Sequence, residues 1–293
     1  MSDRFAGRPP LPEPLPSPVV DNHTHLDIPP QAGGAPRAGD GGADDATLRQ
    51  LLDAATSVGV PRSVQIGCDL PSARWTVEAV DEHSELVGGV AIHPNEAPVL
   101  ARAGALDGAL TEIEAMAAHP RIRVVGETGL DWFRTDRDDA AAAEAQRSSF
   151  RAHVEMAKRL GLALQIHDRD AHGDILRVLA ETGAPERTVF HCFSGDADMA
   201  AECVRRGYYL SFAGTVTFKN AGALREALLV AGPERVLVET DAPFLTPVPH
   251  RGRPNAGYLV PHTVRAMAQV LAMDLEQLCD RLTATTETVY GTW

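Results

Sequence analysis

From Val19 to Asp241 the chain alternates between short, β-rich apolar runs and longer segments of helical periodicity. Nothing else in the sequence limits the fold so tightly. Eight runs read as strands: Val19–His25, Arg62–Gly67, Leu86–Ile92, Ile122–Glu127, Ala163–His167, Thr188–His191, Tyr208–Phe212 and Val236–Asp241. Helical patterns lie between them, at Asp45–Ser57, Ser72–His83, Leu106–Ala118, Ala140–Leu160, Ala171–Glu181, Ala197–Arg206 and Ala221–Val230. Strands separated by helices pair in parallel, because a parallel neighbour needs a long crossover. Eight such units predict an α/β fold, a (β/α)8 TIM barrel, which typically takes about 250 residues. A doubly wound open sheet is the competing architecture. No Gly-x-Gly-x-x-Gly follows the first run, so a dinucleotide-binding version of it is disfavoured. Residues Pro261–Trp293 read as two C-terminal helices broken at Met273-Asp274. Residues 19–293 are expected to form one domain. Residues 1–18, rich in proline and without an apolar core, are expected to be a disordered extension rather than a signal peptide. The Gly/Pro/Ala stretch Pro29–Gly42 predicts a mobile loop near the barrel mouth.

No apolar run approaches the roughly 20 residues that span a bilayer. No membrane role and a cytoplasmic location are therefore expected. The four cysteines, Cys68, Cys192, Cys203 and Cys279, show no Cys-x-x-Cys spacing and read as free, mostly buried thiols. A net charge of -13 argues against a broad duplex-binding face. It leaves room for a polyanion at one local site whose field bound cations reverse.

The chemistry lies at the C-terminal ends of the strands, where barrel enzymes carry their sites. The first end holds His23 and His25 in Asp-Asn-His-Thr-His; on a strand, residues two apart share a face. The third runs into His93, the fourth into Glu127, the fifth into His167, the sixth into His191 and the eighth into Asp241. A single strand-end carboxylate often caps the next helix. So many imidazoles and carboxylates meeting on one face call for cations. Five or six N/O ligands exceed one tetrahedral site. The division expected is His23, His25 and Asp241 on one metal and His167 and His191 on a second, with Glu127 bridging. Two such ions activate a water and clamp substrate oxygens, and Asp241 is placed to act as base. This ligand mix suits zinc, manganese, nickel or iron, and magnesium less well.

The segments DNHTHLD, AIHPNEA, VGETGLDWFRT, QIHDRDA, FHCFSGD and VETDAPFLTPVPHRGRPN resemble, in order, the motifs of the TatD family of metal-dependent hydrolases. The resemblance runs from residue 21 to 255. It implies an amidohydrolase-type barrel and a deoxyribonuclease, most simply a 3′–5′ exonuclease acting on single-stranded ends. Ester or amide hydrolysis, such as D-aminoacyl-tRNA deacylation, is the alternative, and a non-catalytic metal-binding protein the second alternative. The resemblance implies the same metal ligands, His23, His25, Glu127, His167, His191 and Asp241. It also places His93 against the scissile phosphate and Arg251 in a phosphate-proximal loop. The run Pro254, Ala256-Gly257 departs from the charged sequence the family carries there. Many binuclear relatives bridge their metals with a carboxylated lysine on the fourth strand. No lysine occurs between Arg62 and Arg147, so that bridge is absent.

Around these, Ser194-Gly195 opens a helix and reads either as a simple N-cap or as N–H groups that receive a phosphate. Arg134, Arg169 and Arg253 also follow strand ends. Trp132-Phe133 reads equally as packing or as a base-stacking pair. His83, His119, His153, His172 and His262 fall in helical patterns and read as packing or surface residues. No protein partner is evident.

Overall fold

A computed structural model describes residues 8–28 and 45–292 of the chain. Its sheet holds eight strands: β1 (Val20–Thr24), β2 (Arg62–Gly67), β3 (Leu86–Val90), β4 (Ile122–Asp131), β5 (Ala163–Arg169), β6 (Thr188–Phe190), β7 (Tyr209–Phe212) and β8 (Val236–Val238). All pair in parallel, in sequence order. The two ends of the sheet meet through a parallel bridge between Thr24 and Ala242. There the His25 N–H donates to the Ala242 carbonyl at 2.8 Å and the Asp241 N–H to the His23 carbonyl at 2.9 Å. The result is a nearly closed barrel of the (β/α)8 type.

One set of strand residues fills the barrel interior: Val64 and Ile66, Val87, Val124, Ala163, Val189, Tyr209 and Leu237, with Val289 and Tyr290 packed against them. The alternate set, among them Val125, Leu164, Ile166, Phe190, Leu210 and Val238, faces the helices. Those helices are α1 (Asp45–Ser57), α2 (Leu70–Glu82), α3 (Ala97–Arg102), α4 (Leu106–Ala117), α5 (Ala140–Leu160), α6 (His172–Thr182), α7 (Ala197–Arg205), α8 (Gly222–Ala231), α9 (Val260–Leu271) and α10 (Leu275–Tyr290). Local chemistry sets their ends. Asp69 caps α2 by accepting from the Ser72 N–H, Asp139 caps α5, and Gly161 ends α5 in the left-handed conformation.

Two strands break the period of two, and both carry site residues. Register shifts lie between Asp21 and Thr24 in β1 and between Val125 and Thr128 in β4. They let Val20 and His23, and likewise Val124 and Glu127, serve the interior although each pair is three apart. Such irregularities re-aim side chains beside active sites.

Three expectations need correction. The proline-rich composition predicts a flexible extension through residue 18, yet residues 8–18 are held on the barrel. Leu15 is buried and its N–H donates to the Val58 carbonyl. The Tyr258 hydroxyl donates to Pro9, Arg265 to Glu13 and Pro14, and Thr283 to Pro18. Helix α3 has no counterpart in the sequence pattern, being too short to show a period. Strand β4 runs four residues beyond Glu127, paired with β5 to its end. The Pro29–Gly42 stretch lies outside the described residues. Among the described residues no helix is long and apolar enough to cross a membrane.

Candidate metal centre

The strand ends bring His23, His25, Glu127, His167, His191 and Asp241 to one place. Glu127 is at its middle, and its two oxygens face different groups. Oε1 lies 3.7 Å from His23 Nε2 and 3.6 Å from His25 Nε2. Oε2 lies 2.9 Å from His167 Nδ1 and 2.8 Å from His191 Nε2. Asp241 Oδ1 completes the first group, 3.7 Å from His23 Nε2 and 3.5 Å from His25 Nε2. Asp241 holds a left-handed backbone, φ 55°, and Cys192, beside His191, another, φ 42°. Non-glycine residues pay a steric cost for this and tend to cluster at functional sites.

Hydrogen bonds on the far side of each ring fix which nitrogen faces the cluster. Gln165 Nε2 donates to the Asn22 carbonyl, so its Oε1 must accept, and it accepts from His23 Nδ1 at 2.7 Å. His25 Nδ1 donates to the Ile66 carbonyl and His191 Nδ1 to Glu239 Oε1. His167 Nε2 donates to Asp131, itself held by the Arg134 N–H and the Asn95 amide. In their neutral forms, four imidazoles therefore turn lone pairs inward, onto a carboxylate that can only accept. His23 Nε2 and His25 Nε2 stand 3.1 Å apart in this way. Lone pairs meeting lone pairs require cations between them, and this donor set fits divalent metal. His93 differs. Its Nδ1 accepts the Asn95 N–H, so its Nε2–H points inward, 3.8 Å from Glu127 Oε2.

The proton affinities reflect the same need. Burial alone would lower His25 and His167, but the carboxylates outweigh it and lift each to about 9: Asp241 and Glu127 for His25, Asp131 and Glu127 for His167. His191 rises well above its ordinary value beside Glu127 and Glu239 despite its burial. Burial and His191 hold His23 well down, and burial takes His93 to about 3. Glu127 falls far below the usual carboxylate range against its burial, held by His191 and His93. Protons on His25, His167 and His191 thus stand where metal cations would take their place.

A sequence profile of the family described as TatD related DNase matches residues 20–291. The chain belongs to the TatD-related DNase family. It is a metal-dependent hydrolase of that family. Over 274 residues it is 42% identical to the uncharacterized metal-dependent hydrolase TatD of Mycobacterium tuberculosis, covering 93% of this chain and 98% of that one. The uncharacterized metal-dependent hydrolase YabD of Bacillus subtilis is 33% identical, covering 80% and 89%. Among solved structures, the TatD homolog YJJV of Escherichia coli superposes with a TM-score of 0.81 at 22% identity, covering 94% and 98%.

This TatD-family site opens into a cavity of about 500 Å³, lined by His25, His93, Glu127, His167, His191 and Asp241 together with Arg134, Arg169, Ser194 and Phe244. Ser194 turns its hydroxyl to the Asp168 carbonyl. Arg251 is not among the lining residues; it is exposed, its guanidinium 4.0 Å above the Phe218 ring. Trp132 is tied down, its Nε1–H donating to Asp174 and Arg147 lying over its ring, whereas Phe133 is 61% exposed. His153 is a packing residue: it accepts the Ile92 N–H and donates to the Ser149 carbonyl.

Sequence reasoning missed four supporting residues. Gln165 precedes His167 by two on β5, a same-face spacing that could have revealed it. Asp131 and Glu239 sit inside the motifs but carried no assignment. Cys68 donates its thiol to Glu127 Oε1 at 3.3 Å, which no motif signals. Gly126 of β4 is needed for close approach, since a Cβ there would come within 2.6 Å of Gln165 Cβ.

Proposed function

We propose that this chain is a two-metal phosphodiesterase acting on the ends of single-stranded nucleic acid. The observation that carries the reading is the split of Glu127, one oxygen toward His23, His25 and Asp241 and the other toward His167 and His191. In it, His23, His25 and Asp241 would hold one divalent ion and His167 and His191 a second, with Glu127 placed to serve both. Bound there, the ions supply Lewis acidity to the phosphoryl oxygens and acidify a water.

The residues divide the remaining work. Asp241 lines the cavity and takes the proton from the attacking water. His93 turns an N–H toward the cluster and donates to a phosphate oxygen as charge builds on it. Gln165, Glu239 and Asp131 keep the ligand rings in one tautomer. A single strand suits the cavity because the chain, at net charge -13, offers no broad cationic platform for a duplex. The reading places the protein in the cytoplasm, where its four cysteines remain thiols.

The test is hydrolysis of 3′-labelled single-stranded DNA by protein reconstituted with Mg²⁺, Mn²⁺ or Zn²⁺, with D-aminoacyl-tRNA in parallel. Release of the labelled 3′-terminal nucleotide, abolished in Glu127→Ala together with metal content, is the expected result. Deacylation of the tRNA with the DNA left intact would move the reading to an ester hydrolase.

A further inference from the structure

Two arginines, Arg134 and Arg169, line the cavity of this acidic chain. Most exposed arginines here pair with carboxylates, as Arg74 does with Glu112 and Arg159 with Glu114. Arg169 instead lays its guanidinium 3.9 Å over the Phe133 ring. Among the described residues no carboxylate lies within ion-pair distance of it or of Arg134. Of the two acids that flank it, Asp168 is engaged elsewhere, its Oδ2 meeting His172 Nδ1 at 2.7 Å and its Oδ1 accepting the Ala171 N–H, and Asp170 forms no ion pair with it.

The arrangement is built by the fold. Arg169 ends β5, two residues after His167, and is paired in register with Asp131 of β4. Phe133 stands two residues beyond Asp131, just past the end of that strand. The two side chains therefore meet across neighbouring strand ends at the mouth of the cavity. An exposed phenyl ring is costly in water, and here one face carries a cation. The ring fixes the plane of the guanidinium and leaves its donor edge free for an anion.

We propose that Arg169, seated on Phe133 and assisted by Arg134, is a clamp for a second phosphate, the one next to the scissile linkage. It makes the site selective for a polymer of phosphodiesters over an isolated one. The clamp rests on the phosphodiesterase reading above. Arg169 is the binding residue, and Phe133 acts through it as a positioning residue.

The probe is a pair of labelled single-stranded trinucleotides. The linkage beside the scissile one is an ordinary phosphodiester in one and an uncharged methylphosphonate in the other. Metal-loaded wild type should cleave the charged form with kcat/KM about tenfold to hundredfold higher, the range for a hydrogen bond to a charged group. In Arg169→Ala that ratio should fall toward one, Arg169→Lys should keep part of it, and Phe133→Leu should lie between. A purely structural role for Arg169 would lower both rates and leave the ratio as it was. An unchanged ratio in Arg169→Ala, or a wild-type ratio of one, overturns the clamp alone. Failure of wild type to cleave either trinucleotide removes the phosphodiesterase reading and the clamp with it.

Discussion

Gln165 shows how much of the metal centre depends on residues that would never touch a metal. It is fully buried, donates to Asn22 and to the Tyr290 hydroxyl, and accepts from His23. Gln165→Leu keeps the volume and removes all three bonds. His23 is then free to change tautomer, and we expect metal affinity to drop by about tenfold to hundredfold. Competition with a chromogenic chelator measures it; affinity equal to wild type would mean that His23 needs no such partner. His153 gives a prediction in pH. Burial lowers it from 6.5 to about 4, and both ring nitrogens are committed in the neutral form. Between those values the unfolded chain takes up a proton that the folded chain refuses. Stability from this group is therefore complete above pH 6.5 and lost as pH falls toward 4, by about 3 kcal/mol. Urea midpoints across that range should fall less steeply in His153→Gln, and parallel slopes would contradict the assignment. At this scale the residue types that converge were legible at strand ends, because parity and chemistry leave a local trace. The pairings that hold them were not, because Gln165–Tyr290 and His191–Glu239 join residues far apart in sequence.

At the scale of elements, all eight strands were legible and their ends were not. β1 stops at Thr24 and β8 at Val238, short of the residues that complete the site. His25 and Asp241 are nevertheless in place, since the barrel closes there through backbone bonds that no local pattern encodes. The register shifts in β1 and β4 are equally silent, being relations between strands. Residues 8–18 teach the same lesson. Their composition is that of a linker, yet they follow the surface made by α1, α9 and α10. Removing residues 1–18 exposes the pocket that Leu15 fills and strips partners from Tyr258, Arg265 and Thr283. Burial of one leucine alone is worth about 2 kcal/mol, so the truncated protein should melt at least roughly 3 °C lower. Calorimetry decides it, and an unchanged Tm would mean the segment adds nothing.

For the whole molecule, the alternation of strand and helix gave the barrel, and the barrel made convergence of six remote side chains an expectation. What remained out of reach was the shape of the cavity, which depends on loops. Arg251, favoured by its motif, lies outside the lining, while Arg134 and Arg169 are inside. An ion that binds only the folded chain stabilises it by about 2.7 kcal/mol at a hundredfold excess over Kd. Stripping the protein with EDTA should therefore lower Tm by several degrees, and Mn²⁺ or Zn²⁺ should restore it. Equal melting with and without metal would leave the histidine cluster without its proposed occupant.

The most direct measurement is anomalous diffraction from crystals of the metal-loaded protein. Two peaks about 3.5–4 Å apart, one on each side of Glu127, are the predicted result. A single peak away from Glu127, or none within the ring of His23, His25, His167 and His191, would contradict it.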